Sequence, residues 1–146
     1  MIIRHELPGD EKTIGRVTHL AFEGHPFSQG TEAAIIRDLR AAGALSLSLV
    51  CEAGGDILGH LALSPVRIND AETNWYGLGP ISVLPDLQGQ GVNAIILDDM
   101  QHKLIKAGVR YAETGPMLEI NDHILAQWDR FSGVQHKRRR CFVKTL

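Results

Sequence analysis

Between Leu78 and Ala107 an apolar, strand-like run passes through a glycine-rich turn into a long amphipathic helix. The turn reads Gln88-Gly89-Gln90-Gly91-Val92-Asn93-Ala94, and the preceding strand, Trp75–Val83, ends at Leu84-Pro85-Asp86. The helix is predicted over Gly91–Ala107, with Ile95, Ile96, Met100, Leu104 and Ile105 as its buried stripe and Gly108 at its end. The first amides of such a helix have no intrahelical acceptor and carry the positive end of its dipole. Glycines let the backbone approach a bulky anion, so the segment has the chemistry of a phosphate nest. An ordinary strand–helix turn is the plainer reading of the glycines alone. A Walker loop is excluded, because no Lys follows Gly91. A dinucleotide fingerprint lacks its third glycine, although Glu113 sits near the offset of the acidic residue it requires.

The rest of the chain supplies a layered frame. Met1–Glu6 reads as a strand and Asp10 as the cap of a first helix carrying Ile14, Val17, Leu20 and Ala21. A loop over Gly24–Gly30 leads to a second helix from Thr31, with Ala34, Ile35, Leu39 and Ala42 on one face. Leu45–Ala53 and Ile57–Val66 form a hairpin about Gly54-Gly55-Asp56, and Asn69-Asp70 turns toward Trp75–Val83. After the long helix come a strand at Val109–Thr114, a helix from Asn121 or Asp122 to about Phe131, and a final strand at Arg139–Leu146. The expected fold class is α/β, with a mixed central sheet flanked by about four helices.

With 146 residues, 44% hydrophobic and 22% charged, the chain is expected to be a single domain, residues 1–146. A net charge of −2 gives no global attraction to nucleic acid or membrane. Cys51 and Cys141 lack metal or redox spacing and read as buried free thiols; no spaced histidine set suggests a metal. No leader or spanning segment is apparent, so a cytoplasmic location is the expectation.

The segment Gln88-Gly89-Gln90-Gly91-Val92-Asn93, with the strand Leu78–Pro85 before it, resembles the signature of the GNAT family of N-acetyltransferases, Gln/Arg-x-x-Gly-x-Gly/Ala, except that Asn93 stands at the last place. The element order is similar over nearly the whole chain. The resemblance implies a GNAT-like acyltransferase fold with acetyl-CoA as co-substrate. It implies that the amides of Gln88, Gly89, Gln90, Gly91, Val92, Asn93 and Ala94 hold the CoA pyrophosphate. The strand segment Ile81, Ser82 and Val83 would run beside the pantetheine arm, with Ile81 and Val83 pairing with it. Asn121 would contact the cofactor. The acceptor, a small-molecule or peptide amine, would attack the thioester without an acyl-enzyme. A fixed donor for the carbonyl oxygen and in-line substrates meet the physical need.

The family often places a Tyr general acid in the last helix, where this chain has Trp128. An indole N–H donates a hydrogen bond but no proton as an acid. Trp128 is therefore a core or pocket aromatic, or the thiolate leaves unaided or through water, or the protein binds acyl-CoA without turnover. Candidate bases are Glu113, Glu119, Glu72, Tyr76 and His25. Lys137–Arg140 is either a charged edge or an anion site. The alternatives to an enzyme are an acyl-CoA-sensing module and a dimerisation module; a homodimer fits any of them.

Overall fold

The structure, a computed structural model, describes residues 1–68, 71–109, 122–129, 132–135 and 138. It divides into two compact units, Met1–Glu113 and Thr114–Leu146. The expected strands at Val109–Thr114 and Arg139–Leu146, the turn at Asn69-Asp70 and Cys141 lie outside the described residues, wholly or nearly so.

In the first unit, β1 (Ile2–His5), β2 (Leu47–Ala53), β3 (Asp56–Ile68) and β4 (Ala71–Val83) form an antiparallel sheet in the order β1-β2-β3-β4. The β2–β3 hairpin turns at Gly54-Gly55, and β4 begins at Ala71, so Glu72 belongs to the strand rather than to a preceding loop. Pairing shifts between Cys51 and Glu52, where Glu52 faces Ile57 and Cys51 faces Gly59. The extra residue, Leu58, reverses the facing of what precedes it on β3, so Ile57 and Leu61 join opposite cores.

Helices α1 (Glu11–Phe22) and α2 (Glu32–Ala41) cover one face, where Ile14, Val17 and Ile36 pack with Val50 and Ile57. Helix α3 (Val92–Lys106) covers the other through Val92, Ile96, Leu97 and Met100, which meet Leu49, Cys51, Leu61, Leu63 and Val83. Cys51 is buried and free, and burial raises its thiol pKa.

Three expectations change. Ile95 and Ile105 are exposed at 42% and 60%, while Val92 and Leu97 go inside. At about 100° per residue, Ile95 and Ile105 point well away from the face that Val92, Ile96 and Met100 share. On α2, Ile36 is the buried residue and Ile35 is exposed, by the same geometry. Asp10 precedes α1 but makes no side-chain cap. Its carboxylate instead accepts from Arg4 Nη1 at 2.7 Å and the Leu7 N–H at 2.9 Å, and the Arg4 guanidinium holds it below the usual carboxylate range. The second unit contains α4 (Asp122–Trp128).

Candidate functional site

The last residues of β4 set up the site. The Leu84 N–H donates to the Leu58 carbonyl at 3.0 Å, and Ser82 stands opposite His60. Antiparallel alternation then turns the peptide groups of Ser82 toward β3 and those of Ile81 and Val83 toward the outer edge. Just before them the pairing slips: Leu61 faces Ile81 but Leu63 faces Leu78, so Gly79 and Pro80 together oppose Ala62. Gly79 has φ of +138°, which only glycine adopts readily, and Pro80 offers no N–H to the ladder. This bulge interrupts the pairing just before the outward-facing Ile81, and the ladder continues on both sides of it. Among the described residues β4 is one of the two edge strands, with β1 at the other edge.

The chain then makes a 3₁₀ turn over Pro85–Leu87 and enters α3 through Gly89 (φ +77°) and Gly91 (φ +83°). The Gln88 and Gln90 amides are committed within the turn, to the carbonyls of Pro85 and Leu87 at 3.2 Å each. The amides of Gly89, Gly91, Val92, Asn93 and Ala94 have no acceptor among the described residues. Residues 88–91 and Ala94 are exposed, and the first turn of α3 carries no acidic residue to offset the helix dipole. The turn is therefore a cluster of N–H donors without acceptors among the described residues, at the positive end of the α3 dipole.

Both glutamine side chains fold back onto main chain. Gln90 Nε2 donates to the Asp86 carbonyl at 2.7 Å. Gln88 Nε2 donates to the carbonyls of Val83 at 3.1 Å and Ala21 at 3.3 Å. The resemblance assigns the Gln88 main-chain N–H to the pyrophosphate, whereas that N–H donates to the Pro85 carbonyl; its side chain joins the turn to β4 and to the end of α1.

Ser82 requires a correction. It is fully buried, its hydroxyl donates to Thr18 Oγ1 at 3.0 Å, and its peptide groups face β3, so no group of Ser82 reaches the outer edge. Tyr76 is 41% exposed on β4, opposite Pro65 and on the far side of the bulge from Ile81. Trp128 is half-buried at the end of α4, in the second unit. Glu113, Glu119 and Asn121 lie outside the described residues, as do three of the four positions of Lys137–Arg140.

A cavity of about 310 Å³ opens between the end of α1 and the start of α2, lined in part by His19, Phe22, Glu23, His25 and Glu32. The His25 ring stands edge-on to Phe22 and tilted to Phe27, with centroids 6.4 and 5.7 Å away. Among the described residues no group of His, Cys, Asp and Glu is arranged for a metal, and no helix is long and apolar enough to cross a membrane.

Sequence reading passed over one buried polar group. His60 is wholly buried; its Nε2 lies 2.8 Å from Ser48 Oγ. Ser48 donates to Glu6 Oε2, and Arg40 grips Glu6 through two bonds of 2.6 and 2.9 Å. With the Ser48 proton committed to Glu6, His60 Nε2 is the donor and Nδ1 is a buried acceptor without a partner among the described residues. Burial pushes the His60 pKa down to about 4. A histidine inside the apolar run Ile57–Leu63 was the available signal.

The family model described as the Acetyltransferase (GNAT) family matches residues 14–126. The N-acetyltransferase YhbS of Escherichia coli K12, itself uncharacterised, is 34% identical over 93 residues, 63% of this chain. The chain matches about half of that relative's length, 53%. A crystal structure of YhbS in complex with CoA has a TM-score of 0.64 at 30% identity, covering 73% of this chain and 57% of that one. A Brucella melitensis GNAT acetyltransferase in complex with acetyl-CoA has a TM-score of 0.75 at 43% identity, covering 84% of this chain and 80% of that one. An Acinetobacter haemolyticus aminoglycoside 6'-N-acetyltransferase shares the fold, with a TM-score of 0.66 at 17% identity over 100% and 99% of the two chains.

Proposed function

The chain belongs to the GNAT family of acetyltransferases, and from that membership we propose that it transfers the acetyl group of acetyl-CoA directly to an amine. The observation that carries this reading is the set of acceptor-free amides at Gly89, Gly91, Val92, Asn93 and Ala94, in a turn whose residues 88–91 and Ala94 are exposed. They fit a diphosphate, which needs several donors at once in a field of positive sign. The coenzyme supplies a thioester, whose carbonyl carbon takes the amine lone pair while the C–S bond breaks and the thiolate leaves.

The residues of this chain divide the remaining work. Gly89 and Gly91–Ala94 hold the diphosphate, and Gln88 and Gln90 fix the turn that presents those amides. The outward peptide groups of Ile81 and Val83 align the pantetheine arm as an added strand, and an amide there stabilises the carbonyl oxygen as it gains charge. Tyr76, Glu113 and Trp128 are proposed near the reacting atoms, with Asn121 on the coenzyme. We take residues 1–146 as one acyltransferase domain, supported by a family match that runs across the boundary of the two units.

The cavity beside His19, Glu23, His25 and Glu32 suits an amine, since two carboxylates border it. A relative known only by a broad name does not specify the acceptor. The test is thiol release from acetyl-CoA over a panel of polyamines, amino acids, aminoglycosides and peptides. Amine-dependent release supports an enzyme. Stabilisation by CoA without release on any acceptor supports the sensing module, which the absence of a Tyr at Trp128 favours.

A further inference from the structure

Gln88 is the one side chain of the turn that reaches both sides of the candidate site. Its amide nitrogen has two N–H groups, and the structure gives each a carbonyl: Val83 at 3.1 Å and Ala21 at 3.3 Å. The Val83 carbonyl belongs to the outer edge of β4, along which the pantetheine arm is proposed to lie. The Ala21 carbonyl belongs to the last turn of α1, whose neighbours His19, Phe22 and Glu23 line the cavity beside α2. The Gln88 backbone N–H is separately held by Pro85. Its side chain and main chain therefore lock the entry to Gly89 from three directions, with the free amides beginning one residue later.

We propose that Gln88 is a positioning residue that couples the coenzyme turn to the α1–α2 cavity, so that ordering of the turn by a diphosphate also orders the cavity wall. The inference rests on the function proposed above. Three observations favour coupling over simple bracing. Gln88 is exposed, so its bonds bury little surface. Both acceptors are main-chain groups of different elements rather than neighbours in the turn. The residues between Phe22 and Thr31 form no regular element and are held by turn bonds, such as the His25 N–H to the Phe22 carbonyl at 3.1 Å and the Ser28 N–H to the His25 carbonyl at 3.0 Å, rather than by a helix or strand ladder.

The test uses Gln88→Met, which keeps the length of the side chain, removes both donors and adds no charge. Coenzyme affinity is measured by isothermal titration with CoA, and deuterium uptake of residues 19–33 is followed with and without CoA. In the unsubstituted protein CoA is expected to lower uptake in that segment. In Gln88→Met, CoA affinity falls about tenfold. At saturating CoA the uptake of residues 19–33 stays at its free-protein level, while the melting temperature of the free protein hardly changes. A purely structural brace would move the melting temperature and leave the CoA-dependent protection intact. Wild-type affinity in Gln88→Met, or equal protection of residues 19–33 in both proteins, overturns the coupling. If the unsubstituted protein itself binds no CoA, the failure belongs to the proposed function instead.

Discussion

His60 Nε2 and Ser48 Oγ stand 2.8 Å apart in the sheet interior, so a second proton on the ring would go to the buried Nδ1, which has no partner among the described residues. Burial lowers the folded-state value to about 4 from an ordinary 6.5. Between those values the unfolded chain takes up a proton and the folded chain does not. His60 therefore contributes stability that is complete above about pH 6.5 and is lost as the pH falls toward 4, about 3 kcal/mol in all. Glu6 acts in the same direction at lower pH. Burial raises its pKa, but Arg40, Ser48 and the nearby His60 more than offset this, so its share is lost as the pH falls through its depressed folded value. Denaturant melts between pH 7 and 4 should be flatter for His60→Gln than for the native chain; equal slopes contradict the assignment.

Gly59 on β3 lies close against β4 and α3. A Cβ there would stand 2.9 Å from the Ser82 carbonyl oxygen and 3.0 Å from Ile96 Cδ1. The carbonyl is fixed in the ladder and cannot retreat without moving the strand that carries Ile81 and Val83. Gly59→Ala is expected to cost about 1–3 kcal/mol. Thermal unfolding reads this as a fall of several degrees; an unchanged melting temperature would mean that the ladder yields.

Gly91 differs in kind. A Cβ there meets nothing within 4 Å, but φ is +83°. The cost of a side chain is conformational, largest for a β-branched one. Gly91→Val is expected to weaken CoA binding by tenfold or more, since the turn reopens to relieve φ and displaces the amides that follow. Gly91→Asn, which tolerates the left-handed region, should lose much less. Equal losses for the two, read by titration calorimetry, would show that shape and not backbone conformation governs the site.

Helix α3 shows what apolar content alone can and cannot say. Its existence, its start at the glycine turn and its end before Gly108 were legible from periodicity and glycine placement. Its facing was not: five apolar residues fit a stripe loosely, and only the contacts with Leu49, Leu61 and Val83 select Val92, Ile96, Leu97 and Met100. Ile96→Ala should therefore cost about 2–5 kcal/mol, whereas Ile95→Lys should lie within about 0.5 kcal/mol of neutral. Comparable losses in urea melts would restore the facing expected from the sequence.

The site was legible to a similar depth. Glycines flanked by a strand and a helix mark the turn that opens α3, where Gly89 and Gly91 have positive φ; its anion role is the one proposed above. The outward facing of Ile81 and Val83 depends on register against β3, which residue types do not encode. The two exchanged roles have the same origin. Ser82 and Gln88 are polar residues in a promising motif, yet Thr18 takes the first and the Val83 and Ala21 carbonyls take the second. Thr18 and Ala21 come from α1, far away in sequence, and no local pattern announces such partners.

Calorimetric titration with CoA and, separately, with pantetheine, which lacks the diphosphate and the nucleotide joined to it, tests the role of the amides at Gly89 and Gly91–Ala94 most directly. CoA should bind in the micromolar range and pantetheine about a hundredfold more weakly or not at all. Equal affinity for both, or no heat with CoA at two well-separated temperatures, would contradict a diphosphate site at the start of α3.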